Sequence, residues 1–209
     1  NLWEEDQAVA RFTCARRFAR VAAELMGVDG VRLYHDQALF KEPGGGLTPW
    51  HQDQYYWPVD TDDTVTMWMP LVDLTEDMGM LTFASDSHTK GYLGTLPISD
   101  ESDLAFSKYI AEQGMRISRP QTMQAGDATF HYGWNLHSAP PNVGDRMREV
   151  MTVIWVADGC RVTEPFYDTH QRDLTRWVPG RQPGARVARD RNPLRACRGC
   201  GGGLGGGGG

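Results

Sequence analysis

The sequence has 209 residues, 40% of them hydrophobic, and a formal net charge of -6. This length suits one hydrophobic core, and the acidic balance disfavours nucleic acid as the main partner, because neutralising phosphates requires a basic face. No apolar run approaches the roughly 20 residues that cross a bilayer, and no secretory leader is visible after Asn1. We therefore expect a cytoplasmic protein that binds a small-molecule substrate and neither a membrane nor nucleic acid. Its oligomeric state is left open.

The charge is unevenly distributed along the chain. Residues 171–209 carry a net charge of +6, which leaves -12 for residues 1–170. From residue 181 the chain is rich in Arg and Gly, which bury too little apolar surface to offset the entropy lost on ordering. We therefore predict one domain over residues 1–180 and a disordered tail over residues 181–209. Cys197 and Cys200 have the spacing of half a zinc site, but without a second pair we predict no zinc there.

The first predicted element is a helix from about Glu4 to Met26. Its core face is predicted to carry apolar side chains at i, i+4, i+7 and i+11, and Gly27 is expected to end it. Val31–Lys41 follows as a predicted strand, and a Gly-rich turn then leads to Trp50. The predicted core positions of the helix are Cys14, Phe18, Val21 and Leu25.

Alternating polarity predicts the next strand, over residues 64–72. Val65, Met67 and Met69 fall on one face, and Thr64, Thr66 and Trp68 fall on the other. Further strands are predicted near residues 78–84, 126–132 and 148–157, with a helix near residues 101–113. Short strands separated by Gly and Pro turns indicate a mainly β protein with flanking helices, a sandwich or jelly roll. Cys14 and Cys160 are predicted to be reduced thiols.

The segment around His51 and Asp53 suggests a metal site. Two positions apart on an extended chain, both side chains leave the same face and can reach one ion. A third ligand is available downstream, from either His131 or His137. Two neutral imidazoles and one carboxylate form the facial triad of non-heme Fe(II) oxygenases, which leaves positions open for a cosubstrate and oxygen.

Together these segments resemble the phytanoyl-CoA dioxygenase family of Fe(II)- and 2-oxoglutarate-dependent oxygenases. The likeness rests on Phe40-Lys41-Glu42-Pro43-Gly44, Trp50-His51-Gln52-Asp53, Ser87-His88-Thr89-Lys90-Gly91, and a final block from His137 through Asn142 to Arg148. It covers roughly residues 28–157. The resemblance implies a double-stranded β-helix, a jelly roll of the cupin-like type, with iron held in its mouth.

The resemblance also implies roles for individual residues. His51, Asp53 and His137 would bind Fe(II). Because metal ligands need outer partners to hold their orientation, His131 is then expected to support the site or to face the substrate. Arg148 would bind the far carboxylate of 2-oxoglutarate, while Trp68 and Gln37 would contact the same cosubstrate. The implied cofactors are Fe(II), 2-oxoglutarate and O2, with ascorbate as an accessory reductant. The implied reaction hydroxylates an unactivated C–H bond of a small organic substrate and releases succinate and CO2.

Several alternatives remain at this stage. A halogenase is disfavoured because Asp53 occupies the position where chloride would bind, whereas desaturation and ring formation use the same chemistry as hydroxylation. A zinc hydrolase or isomerase with the same three ligands, and a binding module without turnover, are rivals from other classes. The aromatic run Tyr55-Tyr56-Trp57 either lines a substrate pocket or anchors its segment. His88 is interpreted as structural, and His35 and His170 are given no role.

Overall fold

A computed structural model describes residues 1–197, in which two antiparallel β-sheets dominate. The larger sheet has the strand order β6-β3-β8-β1-β9, and the smaller has the order β2-β7-β4-β5. The predicted mainly β fold is confirmed. The strands are β1 (Gly30–Lys41), β2 (Thr48–His51), β3 (Thr64–Pro70), β4 (Thr82–Ala84), β5 (Ile117–Ser118), β6 (Thr129–Tyr132), β7 (His137–Ala139), β8 (Arg148–Ala157) and β9 (Leu194–Cys197).

Two helices replace the single N-terminal helix that the sequence predicts. They are α1 (Gln7–Thr13) and α2 (Arg16–Met26), separated where Ala15 is extended. Gly27 ends α2 in the left-handed conformation, as predicted. The predicted core face is wrong at Val21 and Leu25, which are 40% and 53% exposed, whereas Cys14 and Phe18 pack partly buried against the core. The residues that α2 buries are Ala19, Ala22, Ala23 and Met26.

The small side chains of this face let α2 lie close to the outer surface of the larger sheet. There Ala22 belongs to the same buried cluster as Met67 and Trp155. The predicted alternation of β3 is confirmed, because Val65, Met67 and Met69 pack in this cluster while Thr66 and Trp68 line a cavity on the opposite face. Two further helices are α3 (Asp100–Glu112) and α4 (Asp168–Trp177).

The segment after residue 180 differs from the predicted disordered tail as far as Cys197. Strand β9 pairs with the edge of β1, and Val187 is 1% exposed. The Asn192 side chain donates hydrogen bonds to the Leu33 and Tyr34 carbonyls. The prediction from composition was wrong for this segment, because one buried apolar side chain and pairing with an open strand edge are enough to hold an Arg-rich segment in place. Residues 198–209, including Cys200, lie outside the described part of the chain.

Two short strands that the sequence analysis did not predict position the candidate site. β2 and β7 pair antiparallel in the smaller sheet, with His51 opposite His137. A single turn of 3-10 helix, Asp53–Tyr56, follows directly. Cys14 and Cys160 are free thiols, as predicted. Among the helices of residues 1–197, none has the length and apolar content to cross a membrane.

Candidate metal centre

The two histidines of the centre are held as a cross-strand pair. His51 ends β2 and His137 begins β7, and their ring centroids lie 4.1 Å apart. Directly opposite residues in antiparallel strands project side chains to the same face about 5 Å apart. The strand pairing therefore brings together two imidazoles that are 86 positions apart in the sequence.

Each ring is oriented by a backbone carbonyl two residues upstream. Nδ1 of His51 lies 2.7 Å from the Pro49 oxygen, and Nδ1 of His137 lies 2.9 Å from the Asn135 oxygen. A carbonyl oxygen only accepts hydrogen bonds, so both Nδ1 atoms carry the proton. In the neutral form of each ring, Nε2 then keeps a free electron pair, the form in which histidine binds a metal.

Asp53 completes the group from the first position of the 3-10 turn. Its Oδ1 lies 3.5 Å from Nε2 of His51 and 3.6 Å from Nε2 of His137. Candidate donor atoms of these three residues all lie within 4.8 Å of one another. Metal–ligand bonds of about 2.1 Å at right angles separate donor atoms by about 3 Å, so a small contraction would close the group around an ion. Three converging electron-pair donors fit a bound cation.

The charge states of the group also suit a metal. Burial alone would raise the pKa of the Asp53 carboxyl, but the imidazoles of His137, His131 and His51 outweigh it and hold that pKa well below its usual value. Burial lowers the pKa of His137 well below its usual value, and the neighbouring imidazoles of His51 and His131 lower it further. The centre therefore presents an ionised carboxylate beside a neutral His137 imidazole.

A third histidine approaches the other oxygen of the carboxylate. Nε2 of His131 lies 3.5 Å from Oδ2 of Asp53, and the Thr66 hydroxyl donates a hydrogen bond of 3.3 Å to the same oxygen. His131 does not belong to the compact group formed by His51, Asp53 and His137 among residues 1–197. The structure therefore brings together the three residues that the family resemblance implied, with His131 behind the carboxylate.

The centre opens into a cavity of about 720 Å³ that also contains Arg148. The Arg148 side chain is 5% exposed and donates through Nη1 to the Gly79 oxygen at 2.7 Å. Its Nε atom is buried without an acceptor in the described chain. Burial lowers the pKa of Arg148 to about 10, so the guanidinium stays charged at neutral pH. A buried cation of this kind requires an anion.

Lys41, to which the sequence analysis gave no role, lines the cavity beside Arg148. The two residues are opposite each other on β1 and β8. Lys41 Nζ donates to the Thr48 hydroxyl and to the Ala139 and Pro140 carbonyls at 2.9 to 3.2 Å. Burial, together with a smaller effect of the nearby Arg148 charge, lowers its pKa to about 8. Neither cation has an acidic partner within residues 1–197, so this end of the cavity is positive.

The remaining predicted contacts fall on the same cavity. Trp68 is 3% exposed, and the Arg148 guanidinium lies 5.6 Å from its ring centroid. Gln37 lines the cavity from β1. The aromatic run separates, because Tyr56 and Trp57 line the cavity whereas Tyr55 stacks on Tyr167 at 5.3 Å.

Helix α4, which was not predicted from the sequence, closes one wall of the cavity. Asp173, Arg176 and Trp177 line the cavity from this helix, and His35 stacks on Trp177 at 4.3 Å. Burial lowers the pKa of His35 to about 3, so its imidazole is neutral. A possible signal was the spacing of His170, Leu174 and Trp177 at i, i+4 and i+7, which is that of a buried helix face.

Residues 2–150 match the phytanoyl-CoA dioxygenase (PhyH) family. The chain belongs to this family. The match includes His51, Asp53, His137 and Arg148 and ends before α4. A curated relative, a probable alpha-ketoglutarate-dependent hypophosphite dioxygenase of Stutzerimonas stutzeri, is 26% identical over 132 residues. The aligned region covers 62% of this chain and 46% of the relative, so this chain spans a little under half of the relative's length.

Solved structures of similar fold agree with the family. The non-heme alpha ketoglutarate dependent epimerase SnoN of nogalamycin biosynthesis is 25% identical with a TM-score of 0.74, over 91% of this chain and 74% of SnoN. SnoN is also known in complex with Fe3+, alpha ketoglutarate and nogalamycin RO. EctD from S. alaskensis is 23% identical with a TM-score of 0.73, over 88% of this chain and 64% of EctD. These likenesses confirm the predicted double-stranded β-helix.

Proposed function

We propose that this protein is an Fe(II)- and 2-oxoglutarate-dependent oxygenase that hydroxylates a small organic molecule. One observation carries the proposal: three convergent electron-pair donors share a cavity with a buried guanidinium that has no acidic partner in the described chain. The first feature suits a cation and the second suits an anion. Several of the similar proteins are named as alpha-ketoglutarate-dependent, which supports this combination.

In this proposal His51, Asp53 and His137 hold the iron. Pro49 and Asn135 accept the Nδ1 protons of the two histidines and so keep both Nε2 atoms free for the metal. Iron and 2-oxoglutarate, when bound, supply the oxidising chemistry that inserts oxygen into a C–H bond with release of succinate and CO2. The contribution of the chain is to hold the ligands and to exclude water.

Arg148 is proposed to bind the far carboxylate of 2-oxoglutarate. A guanidinium can hold a carboxylate through two parallel hydrogen bonds, and the unpaired Nε supplies one of them. Trp68 covers one face of this site, and Lys41 adds a second positive charge. Gln37 reaches the cavity from the strand that carries Lys41, and we assign it a polar contact with the cosubstrate.

The same positive end of the cavity disfavours the zinc hydrolase, which has no use for a buried cation opposite the metal. A binding module without turnover would keep both features, so only succinate release separates it from an oxygenase. Desaturation and ring formation are separated from hydroxylation by the mass of the product. The cytoplasmic location and the absence of a nucleic acid partner stay predictions.

The test is an anaerobic titration with Fe(II) and 2-oxoglutarate, followed by succinate measurement in air. The wild type should develop a weak visible charge-transfer band. Arg148→Met should bind Fe(II) normally but need about 10 to 100 times more 2-oxoglutarate, because a charged hydrogen bond contributes about 1.5–3 kcal/mol. Arg148→Lys should recover only part of this affinity.

Arg119→Met is the control, since Arg119 forms a surface ion pair with Glu76 and does not line the cavity. This variant should behave as the wild type does. A folded, iron-loaded wild type that gives neither the band nor succinate would refute the proposed function.

A further inference from the structure

We propose that His131 is a positioning residue, which holds the outer oxygen of Asp53 so that the other oxygen faces the metal. The inference rests on the proposed function, because it concerns the same metal centre. It assigns a role to an imidazole that the three-ligand set leaves unused.

His131 is buried beside Asp53, where its ring can contact the carboxylate. The residue lies on β6 opposite Thr66, with 6% of its surface exposed. Its ring centroid is 4.4 Å from that of His137 and 5.4 Å from that of Phe83. Both ring nitrogens are buried without a hydrogen bond in residues 1–197. A buried imidazole with two unused polar atoms costs free energy unless it finds a partner.

The tautomer of His131 distinguishes it from the two proposed ligands. No carbonyl of the described chain accepts a hydrogen bond from its Nδ1, whereas His51 and His137 each give their Nδ1 proton to one. The His131 proton can therefore reside on Nε2, which faces Oδ2 of Asp53 at 3.5 Å. Closing this charge–dipole contact by about 0.5 Å would give an ordinary hydrogen bond.

The two oxygens of Asp53 thus have different neighbours. Oδ1 faces the free Nε2 atoms of His51 and His137. Oδ2 is approached by two donors, the Thr66 hydroxyl and the His131 imidazole. Once the His131 contact closes to a hydrogen bond, two donors on one oxygen would restrain the carboxylate from rotating and would reduce the cost of burying its charge. Loss of such an outer partner typically lowers metal affinity about 10- to 100-fold.

The experiment measures Co(II) affinity and the visible Co(II) spectrum, which need neither substrate nor turnover. His131→Leu should weaken Co(II) binding about 10- to 100-fold and alter the spectrum. His131→Gln should restore most of the affinity, because its amide can donate to Oδ2 from nearly the same place. The control is His88→Leu, the same substitution at a ring that stacks on the neighbouring Tyr132 and does not line the cavity.

The outcomes separate this inference from the proposed function. If wild type, His131→Leu and His88→Leu bind Co(II) equally with the same spectrum, His131 does not position Asp53 although the metal centre stands. If His131→Gln is as weak as His131→Leu, the imidazole acts through its volume and the proposal is again refuted. A wild type that binds no metal would instead refute the centre itself.

Discussion

At the scale of single residues, the direction of a hydrogen bond determines what each histidine can do. His51 and His137 each give the Nδ1 proton to a carbonyl, so a neutral ring accepts at Nε2, while the Nε2 of His131, whose Nδ1 meets no such carbonyl, remains free to donate. Residue type alone does not make this distinction, because all three residues are histidines. What separates them is the backbone path two residues upstream of each ring.

Asp173 permits a prediction about pH at the same scale. Burial raises the pKa of its carboxyl from 3.8 to about 7, and the Trp177 side chain and Arg176 only partly oppose this. Between these two pH values the folded protein holds a proton that the unfolded chain releases, so this group lowers the free energy of unfolding as pH rises. The Asp173→Asn variant has no ionisable group at this position, so its free energy of unfolding should not show this decrease.

The prediction is checked by urea unfolding of wild type and Asp173→Asn between pH 4 and pH 8. As pH rises, the free energy of unfolding of the variant should increase relative to that of the wild type by up to about 2 kcal/mol. One pKa unit corresponds to about 1.4 kcal/mol, and a half-buried carboxyl contributes only part of the full shift. Asp168→Asn, in the first turn of the same helix, controls for the loss of charge. A difference that does not grow with pH would contradict the raised pKa.

At the scale of elements, the buried face of α2 gives a prediction that the sequence alone would reverse. Ala22 is fully buried against the larger sheet, whereas Leu25 is 53% exposed. Ala22→Leu should therefore destabilise the protein by about 1–3 kcal/mol through overpacking. Leu25→Ala should change the free energy of unfolding by less than about 0.5 kcal/mol. Urea unfolding measures both, and a large loss for Leu25→Ala would restore the original interpretation.

The length of an element and the size of its side chains explain where the sequence pattern predicted the structure well and where it did not. Residues 148–157 were predicted as a strand and form β8 with those bounds, because ten residues give the alternation enough length to be recognised. β2 and β7 have four and three residues, which is too short for any period to show. The prediction of the buried face of α2 was wrong because the size of the side chains, and not their hydrophobicity, decides which of them fit between α2 and the larger sheet.

The site residues were more predictable than the elements that carry them. The spacing of His51 and Asp53 and the downstream histidines are visible as residue types, and the structure brings them together in one cavity. Lys41 and Asp173 were missed, because a cation at the end of a strand and a carboxylate on a helix look like surface residues until the fold buries them.

At the scale of the whole molecule, the cavity depends on both sheets and on segments that follow them. The smaller sheet supplies His51 and His137, the larger supplies Arg148, and α4 closes one wall. Beyond α4, the chain returns to cover the edge of β1 through β9. The C-terminal segment is therefore part of the structure that supports Leu33 and Tyr34, which precede the cavity residue His35 on β1.

A truncation after Gly180 tests whether the C-terminal segment stabilises the fold or is the disordered tail that composition predicts. Its loss removes buried Val187 and the Asn192 hydrogen bonds to Leu33 and Tyr34, and it leaves the β1 edge unpaired. We expect the 1–180 chain to lose at least about 2 kcal/mol of stability, because one buried valine alone contributes about 1.5–3 kcal/mol. Urea unfolding of the 1–180 chain and of the full chain measures the difference. If the 1–180 chain is as stable as the full one, the segment contributes no packing energy and the boundary at residue 180 was correct.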